Sequence, residues 1–299
     1  MTIKWRFIRR RWGILFSGLI VMASGFSVSC TPVTLVQDPL AEDFRRLYPG
    51  WGLSWEREFR RAGFRVNRVP GPELPETPPP GNSPVFWPPS FQEEARRFAW
   101  EHPETPCLTA AEGLPPAGEV LPPNLTVLRL DRRRAYAEAG LSAGEILSRG
   151  LSVAAVFSSV PELLGEAEAF RQAMEDAGEE APPEENPPER GRFREWNFPS
   201  HASGEAAAEL EAFARNQPLG LLVLRAGEGD GRLLRIPGSD PPPILLLPDY
   251  LPLNGVSLWW TAFDPAPALR RFRSFLKGEG GQDPPELIVE GRLKRLKGE

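Results

Sequence analysis

Short apolar runs alternate along the chain with longer segments whose apolar residues lie three and four positions apart. The clearest case is in the middle, where the runs 124–130 and 153–157 are each followed by such a segment, 135–147 and 162–177. Short β-branched or aromatic runs bounded by polar turns predict strands, and three-and-four spacing predicts helices. Strand, helix, strand and helix in succession predict a βαβ unit, and therefore a parallel sheet.

The same alternation continues on both sides of this central stretch. Before it, strands are expected over 33–36, 64–69, 84–87 and 105–110, and helices over 41–62, broken at Pro49-Gly50, and over 91–101. After it, strands are expected over 193–198, 219–224, 244–247, 256–260 and 286–293, and helices over 204–215 and 268–277. This order predicts an α/β protein whose parallel sheets are flanked by helices.

Small residues line one side of the first central helix. They repeat at helical spacing, at Ala135, Ala139, Gly140, Ala143 and Gly144. A face without large side chains lets a helix approach its neighbour closely, and this one can lie against a sheet. For the two glycines we favour close helix packing alone, with no further role. Ser90 and Glu93 have the spacing of a capping box for the helix over 91–101.

Asp131 lies where an apolar strand gives way to a helix, the position at which open α/β sheets present ligand-contacting side chains. A strand ending in Asp131, an Ala/Gly-rich helix over 135–147, an apolar strand over 153–157 and a helix containing Ala169-Phe170 resemble the crossover region of type I periplasmic solute-binding proteins. The resemblance is nearest to the basic-membrane-protein family of nucleoside-binding lipoproteins. It implies a two-lobed fold with parallel sheets in both lobes.

The lobes that this resemblance implies are discontinuous in the sequence. We expect residues 30–130, completed by 256–281, to form the first lobe, and residues 131–255, completed by 282–299, to form the second. The segment 178–192 is rich in Pro and Glu and has no apolar periodicity, which predicts a loop.

The N-terminus has the pattern of a targeting segment. Five basic residues precede an apolar stretch over 12–22, small residues follow, and Cys30 comes next, so that 1–29 is predicted to be a signal peptide. Cys30 resembles the acylated cysteine of bacterial lipoproteins, which implies a diacyl anchor in a bacterial membrane of the cell envelope, on the periplasmic or surface side. An ordinary cleaved signal or an uncleaved anchor are the alternatives, and either keeps the domain outside the cytoplasmic membrane.

Composition and charge limit which classes of function and partner are expected. The 299 residues are 41% apolar, enough for a large core, and 35 prolines predict stiff, extended loops. The formal net charge of −5, together with a basic leader, makes nucleic acid an unexpected partner. With Cys30 acylated, Cys107 has no intramolecular partner and is expected to be a buried small apolar residue.

No catalytic, metal or cofactor motif is visible. The chain has two histidines, and it contains neither a zinc-binding His-Glu-x-x-His nor a Walker loop. The spacing Gly-x-Ser-x-Gly occurs at 140–144, but this stretch lies inside the predicted helix over 135–147 and is not a strand-to-helix elbow. An exported hydrolase would need His201 to meet a nucleophile and a carboxylate in space. We therefore expect no enzyme activity, no metal and no cofactor.

Tryptophans and aspartates near predicted strand ends are the candidate ligand-binding residues. They are Trp51, Trp87, Trp196 and Trp260, with Asp38, Asp131, Asp249 and Asp264. Planar solutes are held by aromatic stacking, and carboxylates accept hydrogens from their hydroxyl or amide groups. Each aspartate is individually also explained as a turn or cap residue.

The function that this resemblance implies is solute capture. Two lobes would close over a small polar or aromatic ligand, nucleoside-like or sugar-like, and deliver it to an ABC permease or to a sensor. The alternative is a structural or interaction lipoprotein that keeps the fold but has a vestigial site, with the cleft filled by its own side chains.

Overall fold

A computed structural model of the chain describes residues 31–47, 52–71, 83–112, 120–158, 164–179, 191–198, 203–216, 218–225, 243–249, 257–279 and 287–297. Pro32–Glu299 forms one compact unit. The predicted signal peptide, Cys30, Trp51, His201 and most of the predicted Pro/Glu-rich loop lie outside the described residues.

The predicted strands and helices are present, with bounds shifted by a few residues. The strands are β1 (Thr31–Gln37), β2 (Phe64–Pro70), β3 (Val85–Trp87), β4 (Cys107–Glu112), β5 (Leu125–Asp131), β6 (Ser152–Ser158), β7 (Phe193–Phe198), β8 (Leu219–Arg225), β9 (Ile244–Leu247), β10 (Leu258–Ala262), β11 (Leu287–Glu290) and β12 (Arg292–Leu296). The helices are α1 (Pro39–Leu47), α2 (Trp55–Arg61), α3 (Gln92–Glu101), α4 (Arg133–Ser148), α5 (Leu164–Glu179), α6 (Ser203–Asn216) and α7 (Ala266–Leu276), and a 3₁₀ turn spans Pro89–Phe91.

These strands form two six-stranded sheets with the same strand arrangement. The first has the order β11-β5-β4-β3-β1-β2 and the second the order β12-β10-β9-β8-β6-β7. In the first sheet, β1, β3, β4, β5 and β11 run parallel to their neighbours in that series. In the second, β6 to β10 are joined by parallel pairs and β12 is antiparallel to β10. The predicted α/β class with helix-flanked parallel sheets is confirmed.

The chain passes between the two sheets at three places: after Asp131, between β10 and α7, and at Gly291. The stretch 256–281, expected to belong to the first lobe, is divided in the structure: β10 pairs in the second sheet and α7 packs on the core of the first. The expected single strand over 286–293 is also divided, because β11 pairs with β5 and β12 with β10.

Gly291 allows this last crossing because the backbone there has close neighbours. Its N–H donates to the carbonyl of Asp131 over 2.6 Å. A Cβ at this position would lie 2.3 Å from Cγ2 of Thr261, too close for any side chain without rearrangement. The apolar periodicity does not break at Gly291, so the sequence pattern alone gives no sign that the strand changes sheets.

Each sheet has an apolar core. The first is built around Phe59, Phe86, Leu108, Leu128 and Leu269, and the second around Val153, Phe157, Phe170, Leu221 and Val223. Cys107, the first residue of β4, is fully buried, as predicted, and burial raises the pKa of its thiol to about 12. The thiol therefore stays protonated and unreactive at neutral pH.

The two glycines of α4 pack closely against another helix, which agrees with the close helix packing favoured for them. A Cβ at Gly140 would lie 2.2 Å from the backbone oxygen of Phe170, and one at Gly144 would lie 2.7 Å from Cβ of Ala177, both on α5. The close approach serves helix–helix packing within the second lobe. The sequence pattern shows that a smooth face exists but does not identify which neighbour covers it.

Gly140→Ala is expected to lower the free energy of unfolding by about 1–3 kcal/mol, because the added methyl meets the backbone of α5. The matched control is Gly165→Ala on α5, whose Cβ would lie at an ordinary 3.4 Å from Cδ of Arg133. Urea unfolding of the two variants measures the difference. Equal stabilities would contradict close packing of α4 on α5.

Candidate functional site

Charged residues from both sheets meet at the carboxyl ends of the strands. Glu112 ends β4 in the first sheet, and Arg225 ends β8 in the second, while Arg132 follows β5 at the first crossing. The Glu112 carboxylate accepts hydrogen bonds from Nη2 of Arg132 and Nη2 of Arg225, each over 2.9 Å. Because the two arginines lie at the crossing and in the second sheet, Glu112 links the two halves of the molecule.

Two more carboxyl groups surround these arginines. Arg225 Nε donates to Glu166 in the first turn of α5 over 2.6 Å, and both side chains are buried. Asp249 follows β9, and its Oδ1 lies 3.7 Å from Nη2 of Arg132. We call these five residues, Glu112, Arg132, Glu166, Arg225 and Asp249, the interlobe charge cluster.

Burial and ion pairing shift the pKa values of the carboxyl groups in the interlobe charge cluster in opposite directions. Burial would raise the pKa of the Glu112 carboxyl, but the guanidiniums of Arg132 and Arg225 outweigh it and bring this pKa down to about 2. Burial raises the pKa of Asp249, because its more distant contact with Arg132 offsets only part of the desolvation. Glu112 is therefore a firmly ionised bridge, whereas Asp249 is the incompletely neutralised carboxyl.

Some polar atoms near the cluster have no hydrogen-bond partner among the described residues. They include Nε and Nη1 of Arg132 and the hydroxyl of Tyr136. The Arg132 side chain is only 1% exposed, and its guanidinium lies 5.0 Å from the centre of the Phe263 ring. A buried donor without an acceptor costs about 1–3 kcal/mol, so these groups favour a polar species bound nearby.

A cavity of about 400 Å³ adjoins the cluster. It is lined from the first half of the chain by Gly52, Leu53 and Arg57, and from the second by Asp249, Trp260, Thr261, Ala262, Phe263 and Leu296. The Thr261 hydroxyl is buried and has no partner in the described part of the chain. The volume and the mixture of apolar, aromatic and a few polar groups are typical of a small-molecule site.

The structure brings two of the residues proposed from sequence, Asp249 and Trp260, together in this cavity. Asp249 follows β9 and Trp260 lies in the adjacent strand β10, with which β9 pairs in parallel. Parallel neighbours carry their carboxyl ends to one edge of the sheet, which is why residues separated in sequence meet there.

Asp38 and Asp131 are hydrogen-bonded to residues outside the cavity lining. Asp38 accepts hydrogen bonds from the first N–H groups of α1 and from the hydroxyl of Ser90 over 2.6 Å. Ser90 is thus engaged with Asp38 and makes no cap for α3, contrary to the expected capping box. Asp131 accepts from Nε of Arg133 over 3.0 Å, and this hydrogen bond lowers the pKa of Asp131.

Asp264, Trp87 and Trp196 are not part of the cavity lining. Asp264 is 60% exposed and pairs with Arg61 at 3.3 Å beside the second crossing. Trp87 is 1% exposed and packs on Phe98 in the core. Trp196 lies in β7, an edge strand of the second sheet, and its indole N–H donates to Glu209 over 2.7 Å.

Glu112, Arg132 and Arg225 were missed at the sequence level. The signal that identifies two of them is a charged residue closing an otherwise apolar strand: Glu112 follows Thr109-Ala-Ala, and Arg225 follows Leu221-Leu-Val-Leu. Aspartates alone were considered as charged residues at strand ends. Extending it to glutamates and arginines would have found both.

Solved structures with this arrangement include binding proteins. An ABC transporter solute-binding protein from Conexibacter woesei superposes with a TM-score of 0.51 at 17% identity, covering 90% of this chain and 89% of that chain. One from Aeropyrum pernix K1 gives a TM-score of 0.53 at 10% identity, covering 90% of this chain and 76% of that chain. The fold is the two-lobed type I periplasmic-binding-protein fold.

Regulators are similar in structure too. A transcriptional activator of the comK gene from Bacillus halodurans superposes with a TM-score of 0.51 at 14% identity, covering 90% of each chain. No family model matches the chain, and no curated relative matches it.

The described residues contain neither a group of side chains placed to bind a metal ion nor a helix suited to cross a membrane. No group of three His, Cys, Asp or Glu side chains in them is placed to bind a metal ion. Within the same ranges, no helix combines the length and the apolar character needed to cross a bilayer.

Proposed function

We propose that this protein binds a small polar or aromatic solute between its two lobes, in the cell envelope, for ABC-type uptake or sensing. The observation that carries the proposal is the cavity in which Asp249 and Trp260 of the second lobe face Leu53 and Arg57 of the first. The fold, shared with ABC solute-binding proteins, supports it. The proposal includes no catalytic step, metal or cofactor.

The three crossings provide the hinge. Lobe closure in two-lobed proteins requires backbone changes at only a few residues between elements. Here those residues lie near Asp131, between Ala262 and Ala266, and at Gly291. A ligand bound to groups of both lobes would favour the closed arrangement, because its contacts with both are complete only there.

The solute class is tested by a thermal-shift screen of residues 30–299 against nucleosides, sugars, amino acids and small peptides. A ligand at one hundred times its dissociation constant should stabilise the fold by roughly 2.7 kcal/mol. Trp260→Ala should remove the stabilisation, and Trp100→Ala, at an exposed position on α3, should leave it intact. A shift that survives Trp260→Ala would place binding elsewhere.

The proposed lipid anchor at Cys30 rests on the sequence. The same holds for the signal peptide 1–29 and for the resemblance to the basic-membrane-protein lipoproteins. Cys30→Ala should release the protein from membranes, because it removes the acylation site. Cys107→Ala is the matched control, since Cys107 is buried in the folded domain and should not affect membrane association. Fractionation and immunoblotting measure the distribution. A Cys30→Ala protein that stays membrane-bound would point to an uncleaved helix as the anchor.

A second candidate function is that of an interaction lipoprotein with a vestigial site. The observation favouring it is that Glu112 already occupies both Arg132 and Arg225, so that part of the space between the sheets is filled by the protein's own side chains. If no compound of the ligand panel shifts the melting temperature, this candidate is favoured over solute binding.

A further inference from the structure

The cavity carries opposite charges on its two sides. Asp249 lies on the side of the second lobe and Arg57 on the side of the first, and Trp260 and Phe263 are also in its lining. A ligand that satisfied both charges would have to carry both signs itself. Its apolar portion would contact the rings.

The negative charge of the Asp249 carboxylate is only partly balanced by its neighbours in the cluster. Among the described residues its ion-pair partner is Arg132, whose Nη2 lies 3.7 Å away and at the same time donates to Glu112 over the shorter distance of 2.9 Å. The interlobe charge cluster contains three carboxyl groups and two guanidiniums, so one negative charge is left over when Asp249 is ionised. A ligand ammonium at Asp249 would bring the cluster to neutrality, and the neighbouring ring faces also attract a cation.

The guanidinium of Arg57 is the group that could bind a negatively charged part of the ligand. Its Nε donates to Glu58 over 3.0 Å, and its two terminal nitrogens have no hydrogen-bond partner among the described residues. The side chain is 67% exposed, so the guanidinium is free to turn towards a ligand in the cavity. Guanidinium groups bind carboxylates through paired, charge-assisted hydrogen bonds.

We propose that the solute is a zwitterion of the α-amino-acid type with an apolar or aromatic side chain, its ammonium bound by Asp249, its carboxylate by Arg57 and its side chain lying against Trp260. This inference rests on the proposed function, since it names the ligand class of the same cavity. The partnerless Thr261 hydroxyl, buried in the lining, supplies a further polar contact for such a ligand.

The test is isothermal titration of the full chain in detergent with three matched probes. L-tryptophan carries both charges, tryptamine lacks the carboxylate, and indole-3-propionate lacks the ammonium. Because each charge makes its own charge-assisted contact, L-tryptophan should bind roughly tenfold or more tightly than either analogue. Equal binding of the three probes would overturn the assignment of both charges.

Two variants that each remove one charge assign the ligand's charges to their residues. Asp249→Asn should weaken L-tryptophan and tryptamine and have little effect on indole-3-propionate. Arg57→Gln should weaken L-tryptophan and indole-3-propionate and spare tryptamine. Arg60→Gln, on the same helix but outside the cavity lining, is the control and should match the unmodified chain. Circular dichroism melts confirm that each variant folds.

The outcomes separate this inference from the function on which it rests. If a nucleoside or sugar binds and L-tryptophan does not, the zwitterion assignment fails and solute binding stands. If no probe and no member of the wider panel binds, both fail. If Asp249→Asn weakens all three probes equally, its role is structural and the assignment of the ammonium is overturned.

Discussion

Glu112→Gln is expected to lower the free energy of unfolding by about 3–5 kcal/mol, because it removes the anion from between two buried guanidiniums. The glutamine keeps the shape of the side chain and can still accept a hydrogen bond, but it leaves Arg132 without a full counter-charge in surroundings where its side chain is 1% exposed. Urea unfolding at neutral pH measures the change.

The control is Glu145→Gln, which removes an exposed carboxylate paired with Arg149 at 4.0 Å on α4. Exposed pairs of this kind contribute about 0–1 kcal/mol, so the control should be nearly as stable as the unmodified chain. Similar losses in the two variants would show that Glu112 does not hold the lobes together.

The lowered pKa of Glu112 predicts that the free energy of unfolding decreases in acid. The pKa of Glu112 falls from an ordinary 4.5 to about 2 on folding, so its contribution is complete above pH 4.5 and is lost as the pH falls towards 2. Burial raises the pKa of Asp249, which gives the opposite sign: its protonated form is favoured in the folded state. Unfolding measured between pH 5 and 2 should show a shallower decline for Glu112→Gln than for the unmodified chain.

Arg225→Met is expected to have an effect of similar size, about 3–5 kcal/mol, because it leaves the buried Glu166 without its partner. The methionine fills much of the same volume, so lost charge pairing dominates over lost packing. Adding Glu166→Gln should restore part of the stability, since the uncompensated buried charge is then gone. Arg215→Met, at a side chain 70% exposed on α6, is the control.

Additive effects of Arg225→Met and Glu166→Gln would contradict direct coupling of the two residues. Contacting residues show interaction energies of about 0.5–3 kcal/mol in a double-mutant cycle, and the 2.6 Å contact between Arg225 and Glu166 places this pair in that class.

Periodicity predicts the elements well because it is local. The segment 153–157 reads as a buried strand from five residues alone, and β6 is found there with Val153 and Phe157 in the core. Asp249 and Trp260 could also be proposed from sequence, since each lies near the carboxyl end of an apolar run that pairs in parallel with the other.

Sheet membership and side-chain direction are not local, and those are the features that the sequence left open. Glu112 and Arg225 are 113 residues apart and meet only because two sheets bring their strand ends together. Trp87 and Trp196 lie near strand ends as Trp260 does, but their rings are buried against Phe98 and Phe213. Trp196 and Trp260 pack against the same apolar cluster, so their different strands, β7 at the sheet edge and β10 beside β9, determine which of these two reaches the cavity.

A crystal structure of residues 30–299 grown with the compound that gives the largest thermal shift locates the solute directly. We expect density for it between the two lobes, in contact with Asp249 and Trp260 and within reach of Arg57. Density for the solute outside this cavity, or a cavity that stays empty at saturating concentrations of a compound that stabilises the fold, would contradict solute binding between the lobes.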